Sequence, residues 1–115
     1  MAGRIVIVAY RPKAGEEERL AGLIAGHLDV LRAEGLATDR EAIVMQAADG
    51  TLVEVFEWAS KAAIEAAHDS VAVTSMWGAF AEVCEFIPAG RVPELATLFS
   101  EFSPFKPTPQ EQRTT

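Results

Sequence analysis

The sequence is poor in cysteine, in basic residues and in long apolar runs. Because Cys84 is its single cysteine, a disulfide within the chain is excluded. Such low use of cysteine is typical of proteins in a reducing cytoplasm. The longest apolar run, residues 5–10, is too short for a membrane span, and the N-terminus lacks the layout of a signal peptide. Ten Lys and Arg against 17 Asp and Glu give a net charge of −7, which argues against nucleic-acid and membrane partners. We therefore expect a cytoplasmic protein.

The first half of the chain predicts a strand, a helix and a hairpin. Residues 5–10 are apolar throughout, as in a strand buried on both faces, and Arg11-Pro12 should end it. Three glutamates at 16–18 open a helix whose apolar stripe ends before Gly35. Two further strands, over 42–47 and 52–58, flank Asp49-Gly50, which is a strong hairpin signal.

The second half predicts two helices, a short strand and a last helix. Ser60 is a candidate N-cap for a helix over 61–68, and a second helix follows the break near Asp69. Residues 85–87 could form a fourth strand. Pro93 suits the first position of a final helix with three apolar side chains on one side, Leu95, Leu98 and Phe99.

The order of these elements predicts an α+β fold with a ferredoxin-like subunit, β-α-β-β-α-β, in one domain over residues 1–102. Residues 103–115 are predicted to be an extended C-terminal tail. Right-handed crossovers place both helices on one side of the sheet, so the other side has no helix to cover it. Because the first strand is apolar on both faces, we expect a homodimer through this open sheet face. A monomer whose last helix and tail cover the sheet is the alternative.

One stretch of the chain resembles a known family. Residues 56–68 are similar to a segment of the antibiotic biosynthesis monooxygenase superfamily, in which a strand ends in Glu-x-Trp and a histidine closes the following helix. The opening strand, the basic-Pro turn and the acidic helix start are also similar, so the resemblance covers residues 4–87. It implies a dimeric α+β barrel. The superfamily includes cofactor-independent quinol and polyketide monooxygenases, haem-degrading enzymes, isomerases and decarboxylases, so the fold does not fix the function.

The resemblance implies cofactor-independent oxygenation of a small aromatic or quinol-like molecule as the leading function. Members of the haem-degrading branch resemble one another in having an Asn on the first strand, and this sequence has no Asn there. Two alternatives stay open: a non-catalytic dimer that binds a small ligand or a protein partner, and an isomerase that transfers protons with the same residues. We expect no cofactor.

His68 is the leading candidate for the catalytic base, because a neutral imidazole accepts a proton near pH 7. It follows the stripe of Ile64, Ala67 and Val71, which should place it near the sheet. Glu65 could orient its ring by accepting a proton from one nitrogen. The structural alternative is a histidine that satisfies a backbone carbonyl at the end of a helix.

Aromatic side chains could wall a pocket for a flat substrate, as is common in small-molecule sites. The ordinary alternative is core packing, since stripes at helical spacing are usually core. Tyr10 could hydrogen-bond a substrate oxygen in the same space. The predicted pocket residues are Tyr10, Phe56, Trp58, Glu65, Met76, Trp77 and Phe80.

The remaining polar residues point to structure more than to chemistry. Glu54 and Glu57 lie on opposite faces of one strand and cannot act as a pair, although a buried one would need a partner. His27 falls at the flank of the first helix stripe and is interpreted as a boundary residue. No ligand spacing supports a metal site within the chain, and Cys84 is predicted to be buried and inert.

Overall fold

The protein is an α+β fold with three helices and one open antiparallel sheet. The computed structural model describes residues 3–107. The strands lie in the order β4-β1-β3-β2-β5, and every neighbouring pair is antiparallel. In chain order the elements are β1 (Arg4–Pro12), α1 (Glu17–Ala33), β2 (Ile43–Gln46), β3 (Leu52–Trp58), α2 (Lys61–Ala67), α3 (Val71–Val83), β4 (Cys84–Ile87) and β5 (Ser103–Pro104).

The first helix and the hairpin form where the sequence predicts them. Two glutamates occupy the first turn of α1, where the helix dipole favours negative charge. Gly35 ends the helix with a φ of 75°, a conformation that costs glycine little. Gly50 turns the hairpin between β2 and β3 with a φ of 95°, and the Asp49 carboxylate accepts from Thr51 N at 2.9 Å.

The helical stretch from 61 to 83 is broken in two, as predicted. The Ser60 hydroxyl accepts from the backbone N–H of Ala63, and the Ser70 hydroxyl accepts from that of Val73. Each serine therefore satisfies a donor that the first turn of its helix leaves free. None of the helices within residues 3–107 is both long and apolar enough to cross a bilayer.

The helices cover one face of the sheet and build the core there. Alternation along β1 and β3 sends Tyr10, Glu54 and Phe56 to this face, where α1 and α3 pack over them. The largest fully buried side chains include Tyr10, Phe80 and Leu20. The predicted face assignment of β3 is thus confirmed: Glu54 lies inside, and Glu57 lies on the opposite face.

The opposite face is covered at one end and open at the other. Two 3-10 turns, Ala89–Arg91 and Pro93–Ala96, close a small cluster around Ala9 and Val53 together with Phe102. The prediction of a wholly bare face was therefore wrong. At the other end Ile5, Ile7 and Ile43 remain exposed.

Three boundary predictions need correction. The first strand continues through Arg11 and Pro12, because β4 pairs with residues 9–12. The predicted final helix is two 3-10 turns instead, and its supposed apolar residues Leu98 and Phe99 are 91% and 79% exposed. Part of the predicted tail is β5, which pairs with β2 at the sheet edge. Residues 108–115 of that tail lie outside the described part of the chain.

Candidate functional site

Three polar side chains meet inside the core beneath α1. Glu54 on β3 is 1% exposed, and its Oε1 accepts hydrogen bonds from Tyr10 Oη at 2.7 Å and from His27 Nδ1 at 2.8 Å. Tyr10 is on β1 and His27 is on α1, so three elements each contribute one member. A buried carboxylate is costly unless it is hydrogen-bonded, and these two donors supply that compensation.

Burial and charge fix the protonation of Tyr10. The pKa of the Tyr10 phenol is raised well above 10.0, mainly by burial and also by the negative charge of Glu54. The phenol therefore stays protonated and donates to the carboxylate at neutral pH. Its ring stacks on Phe80 with a centroid separation of 5.1 Å, which leaves the hydroxyl little freedom to turn to another partner.

The carboxylate also fixes the tautomer of His27. A carboxylate only accepts hydrogen bonds, so Nδ1 carries the hydrogen and Nε2 keeps its lone pair in the neutral ring. The ring meets Phe56 and Phe80 edge-on, at centroid distances of 5.1 and 5.4 Å. The imidazole is thereby oriented by one strong hydrogen bond and two aromatic contacts.

Nε2 of His27 borders open space. No residue of the described chain is hydrogen-bonded to Nε2, yet no fully enclosed side-chain nitrogen or oxygen in residues 3–107 lacks a partner. Nε2 therefore keeps some access to open space although the residue is 4% exposed. His27 lines a cavity of about 360 Å³, which we call the aromatic cavity. An imidazole that is oriented by a carboxylate and belongs to a residue lining a cavity is the arrangement of a general base.

The aromatic cavity has almost entirely apolar walls. Five of the predicted pocket residues line it together: Tyr10, Phe56, Trp58, Trp77 and Phe80. The remaining lining residues are His27, Val6, Ile7, Val8, Ile64 and Phe86. The cavity lies between the helices and the sheet at the end of the sheet where β4 stops short of the full length of β1. Its size and walls suit a small flat molecule with few polar groups.

Two predicted site residues lie elsewhere. Met76 packs against the core clusters and does not line the aromatic cavity. Glu65 is exposed on α2 and has no hydrogen bond to the ring of His68. The prediction that Glu65 orients the ring of His68 is therefore wrong.

His68 is exposed and is not part of the cavity wall. Its Nδ1 is 3.1 Å from the carbonyl oxygen of Ile64, one turn back along α2. The centroid of its ring lies 5.2 Å from that of Trp77, which it meets edge-on. The expectation that the stripe with Val71 places His68 near the sheet was wrong, because Val71 is itself exposed at the start of α3. His68 therefore has the alternative, structural role: its ring satisfies a backbone carbonyl at the end of a helix.

Sequence reasoning assigned His27 to a boundary, and the structure buries it. The signal was present: His27 follows Ile24 by three residues and precedes Leu31 by four, within the stripe of α1. The sequence also required a partner for a buried Glu54, without indicating which residue would supply it. The missing information was the pairing of strands, which brings Tyr10 and Glu54 beneath that turn of the helix.

The other carboxylates do not extend this site. Glu57, on the opposite face, accepts from Arg40 Nε at 3.0 Å and from Thr38 Oγ1 at 2.9 Å, and these bonds lower its pKa. Glu54 also borders a second cavity of about 510 Å³ between α1 and β2, where Asp29, Arg32 and other charged groups of both signs meet. Over residues 3–107, no three acidic, His or Cys side chains are grouped as metal ligands.

Comparisons of the chain with protein-family models, with curated proteins and with solved structures found no match.

Proposed function

We propose that this protein is a cofactor-independent monooxygenase that acts on a small aromatic or quinol-like molecule held in the aromatic cavity. The observation that carries the proposal is the buried pair of Glu54 and His27, with Nδ1 on the carboxylate and the histidine in the lining of the cavity. We assign the base to His27 and not to His68, because only His27 lines the cavity.

The chemistry needs a base and an electron-rich substrate. His27 Nε2 takes a proton from an acidic O–H or C–H of the substrate, and Glu54 stabilises the imidazolium that forms. The resulting substrate anion donates electrons to dioxygen. For a ring CH₂ group, one oxygen atom becomes a carbonyl and the other leaves as water with both hydrogens. For a quinol, one oxygen atom becomes a new hydroxyl on a quinone, and one water is again released.

The assembly we propose is the homodimer through the open sheet face, built from ferredoxin-like subunits. The strand order β4-β1-β3-β2, with α1 and α3 on one face, supports this subunit topology. The exposed side chains of Ile5, Ile7 and Ile43 at the uncovered end of the sheet support a self-association surface. These features and the resemblance of residues 56–68 together favour the antibiotic biosynthesis monooxygenase superfamily.

The test is dioxygen uptake by the metal-stripped protein against hydroquinones, naphthols and anthrones. The wild type is compared with His27→Gln and with His68→Gln, which is the matched control at an exposed histidine. We expect uptake by the wild type and by His68→Gln, and a loss of about a hundredfold or more in His27→Gln, the contribution typical of a general base. Uptake that survives in His27→Gln and disappears in His68→Gln would return the base to His68.

The two other functions predict different outcomes of the same assay. A proton-transfer isomerase would exchange substrate hydrogen for deuterium, dependent on His27, without consuming dioxygen. A binding protein would do neither and would still take up the aromatic probes. Absence of dioxygen uptake across the whole panel would therefore exclude the oxygenase for these substrate classes.

A further inference from the structure

Part of the edge of β1 has no neighbouring strand. β4 pairs with residues 9–12 of β1 and ends at Ile87, where Pro88 follows. Proline has no N–H to donate, and the chain leaves for the 3-10 turn at Ala89. The first half of β1 therefore has β3 on one side and no strand of the described chain on the other.

The register determines which backbone groups face this free edge. Lys13 N donates to Val83 O at 2.8 Å, continuing the β1–β4 register just beyond Pro12 and Cys84. In an antiparallel ladder, residues that exchange hydrogen bonds with one neighbour alternate with those that face the other. Counting back in steps of two from Lys13, the N–H and C=O of Ile7 and of Ile5 face the free edge.

Ile7 reaches the aromatic cavity through this edge. Its side chain belongs to the face opposite the helices and is 48% exposed, so alternation directs it away from the cavity. Ile7 nevertheless lines the cavity, together with its neighbours Val6 and Val8, whose side chains lie on the helix face. We infer that the atoms of Ile7 at the cavity are its free backbone N–H and C=O.

We propose that the backbone of Ile7 is a docking point for a flat aromatic ligand that carries a hydrogen-bond donor next to an acceptor, as in a lactam. The donor pairs with the Ile7 carbonyl and the acceptor pairs with the Ile7 N–H, while the rings fill the aromatic cavity. The proposal rests on the proposed function only in requiring that the cavity take a ligand, and it is independent of oxygen chemistry and of His27.

The chemistry of the cavity makes this docking point selective. The walls are nearly all apolar, so a few polar positions decide which ligand fits and how it is oriented. Tyr10 donates its hydroxyl hydrogen to Glu54 and therefore has no hydrogen to donate to a ligand. A ligand without the donor would place an apolar atom or another hydrogen-bond acceptor against the Ile7 carbonyl oxygen. A carbonyl left without a hydrogen bond lowers the affinity by more than an ordinary contact raises it.

The experiment compares 2-quinolone with coumarin, which has an oxygen in place of the ring N–H, and with naphthalene. Binding is followed by ¹⁵N NMR through the indole signals of Trp58 and Trp77, the two tryptophans of the chain, which both line the cavity. The backbone amide of Ile7 reports the hydrogen bond directly. We expect 2-quinolone to bind at least about tenfold more tightly than coumarin, with a downfield shift of the Ile7 amide.

Two proline variants separate the docking point from the rest of the edge. Ile7→Pro removes the N–H at the cavity without removing a bond to β3, and Ile5→Pro does the same one step away, outside the cavity lining. We expect Ile7→Pro to weaken the binding of 2-quinolone and of coumarin alike, because both ligands carry the carbonyl that pairs with the missing N–H, and Ile5→Pro to leave both affinities unchanged.

The outcomes distinguish this proposal from the one above. Equal binding of 2-quinolone and coumarin, an Ile7 amide that does not shift, or affinities that are unchanged in Ile7→Pro would each overturn it. Should Ile7→Pro fail to fold, the first two measurements on the wild type decide. Naphthalene binding without any preference would overturn the docking point alone. No response of either indole to any probe would overturn the cavity as a ligand site, and both proposals with it.

Discussion

The two histidines of this chain lie in regions that are built in different ways. His27 is held inside the core by a carboxylate 27 residues away in sequence and by aromatic rings from a strand and another helix. His68 lies at the end of a seven-residue helix and contacts the carbonyl of its own turn. In this pair, the buried histidine takes its partners from distant segments, whereas the exposed histidine is satisfied within its own helix.

The largest effect should come from removing the acceptor that the buried region depends on. Glu54→Ala leaves Tyr10 and His27 without a partner in the core, and we expect the free energy of unfolding to fall by about 3 to 4 kcal/mol. Urea denaturation at pH 7 measures this. Glu65→Ala, beside His68, is the control and should change stability by less than about 0.5 kcal/mol. Equal losses in the two variants would remove the distinction between the regions.

A smaller loss should follow when one donor of the buried region is removed. Tyr10→Phe keeps the stacking on Phe80 but deprives Glu54 of a hydrogen bond, at a cost of about 2 kcal/mol. Because the pKa of Tyr10 is raised in the folded state, the fold holds this proton more tightly than the unfolded chain does. Wild-type stability should therefore fall as the pH rises above 10.0, and the variant should lack that part of the fall.

Thermal denaturation of both proteins from pH 8 to 11.5 checks this pH dependence. Cys84 titrates in a similar range, since burial raises the pKa of its thiol to about 11, and its charge also helps to raise the pKa of Tyr10. The difference between the two curves therefore reports Tyr10 together with its interaction with Cys84. Parallel curves would show that Tyr10 is not held protonated by its surroundings.

Within the region of His68, the cap of α3 should matter more than the histidine. The Ser70 hydroxyl accepts from Val73 N at 3.2 Å and donates to Glu34 at 2.9 Å. We expect Ser70→Ala to cost about 1 kcal/mol in the free energy of unfolding, the usual value of an N-cap. Ser70→Asp keeps the capping oxygen and should recover most of the loss unless the nearby Glu34 repels it, which the additional variant Glu34→Gln would reveal.

The smallest effect should be that of His68 itself. His68→Ala removes one hydrogen bond to Ile64 O at an exposed site, and we expect a loss below about 0.5 kcal/mol in urea denaturation. A loss above about 1.5 kcal/mol would show that its contact with Trp77 supports the core.

Elements whose signals are local were predictable from the sequence. The strand β3, the hairpin at Gly50, the stop at Gly35 and the two serine caps each depend on residues within a few positions of one another. Five of the six Phe, Tyr and Trp residues that line the cavity were also predicted, since alternation and helical spacing place them on inward faces, and Phe86 is the exception. The C-terminal segment failed because Leu98 and Phe99 have helical spacing without a sheet surface to cover.

The base of the candidate site could not be predicted in the same way. His27 and Glu54 are adjacent only because β3 lies beneath α1, and no local pattern encodes that distance. The helical stripe placed His27 near the core but could not decide which strand residue it would meet. His68 was predicted as the base because it lies in the segment that resembles the family and at a helix break. Neither feature indicates whether a side chain is buried.

The short free edge of β1 also bears on aggregation. An unpaired strand edge with exposed isoleucines can recruit strands from other molecules, and long flat edges of this kind seed fibrils. Here β4 blocks the edge from Ala9 onward, so only the first half of β1 remains unpaired on this side in the described chain. A variant that shortens β4 should lengthen the exposed edge and make the protein prone to self-assembly into fibres.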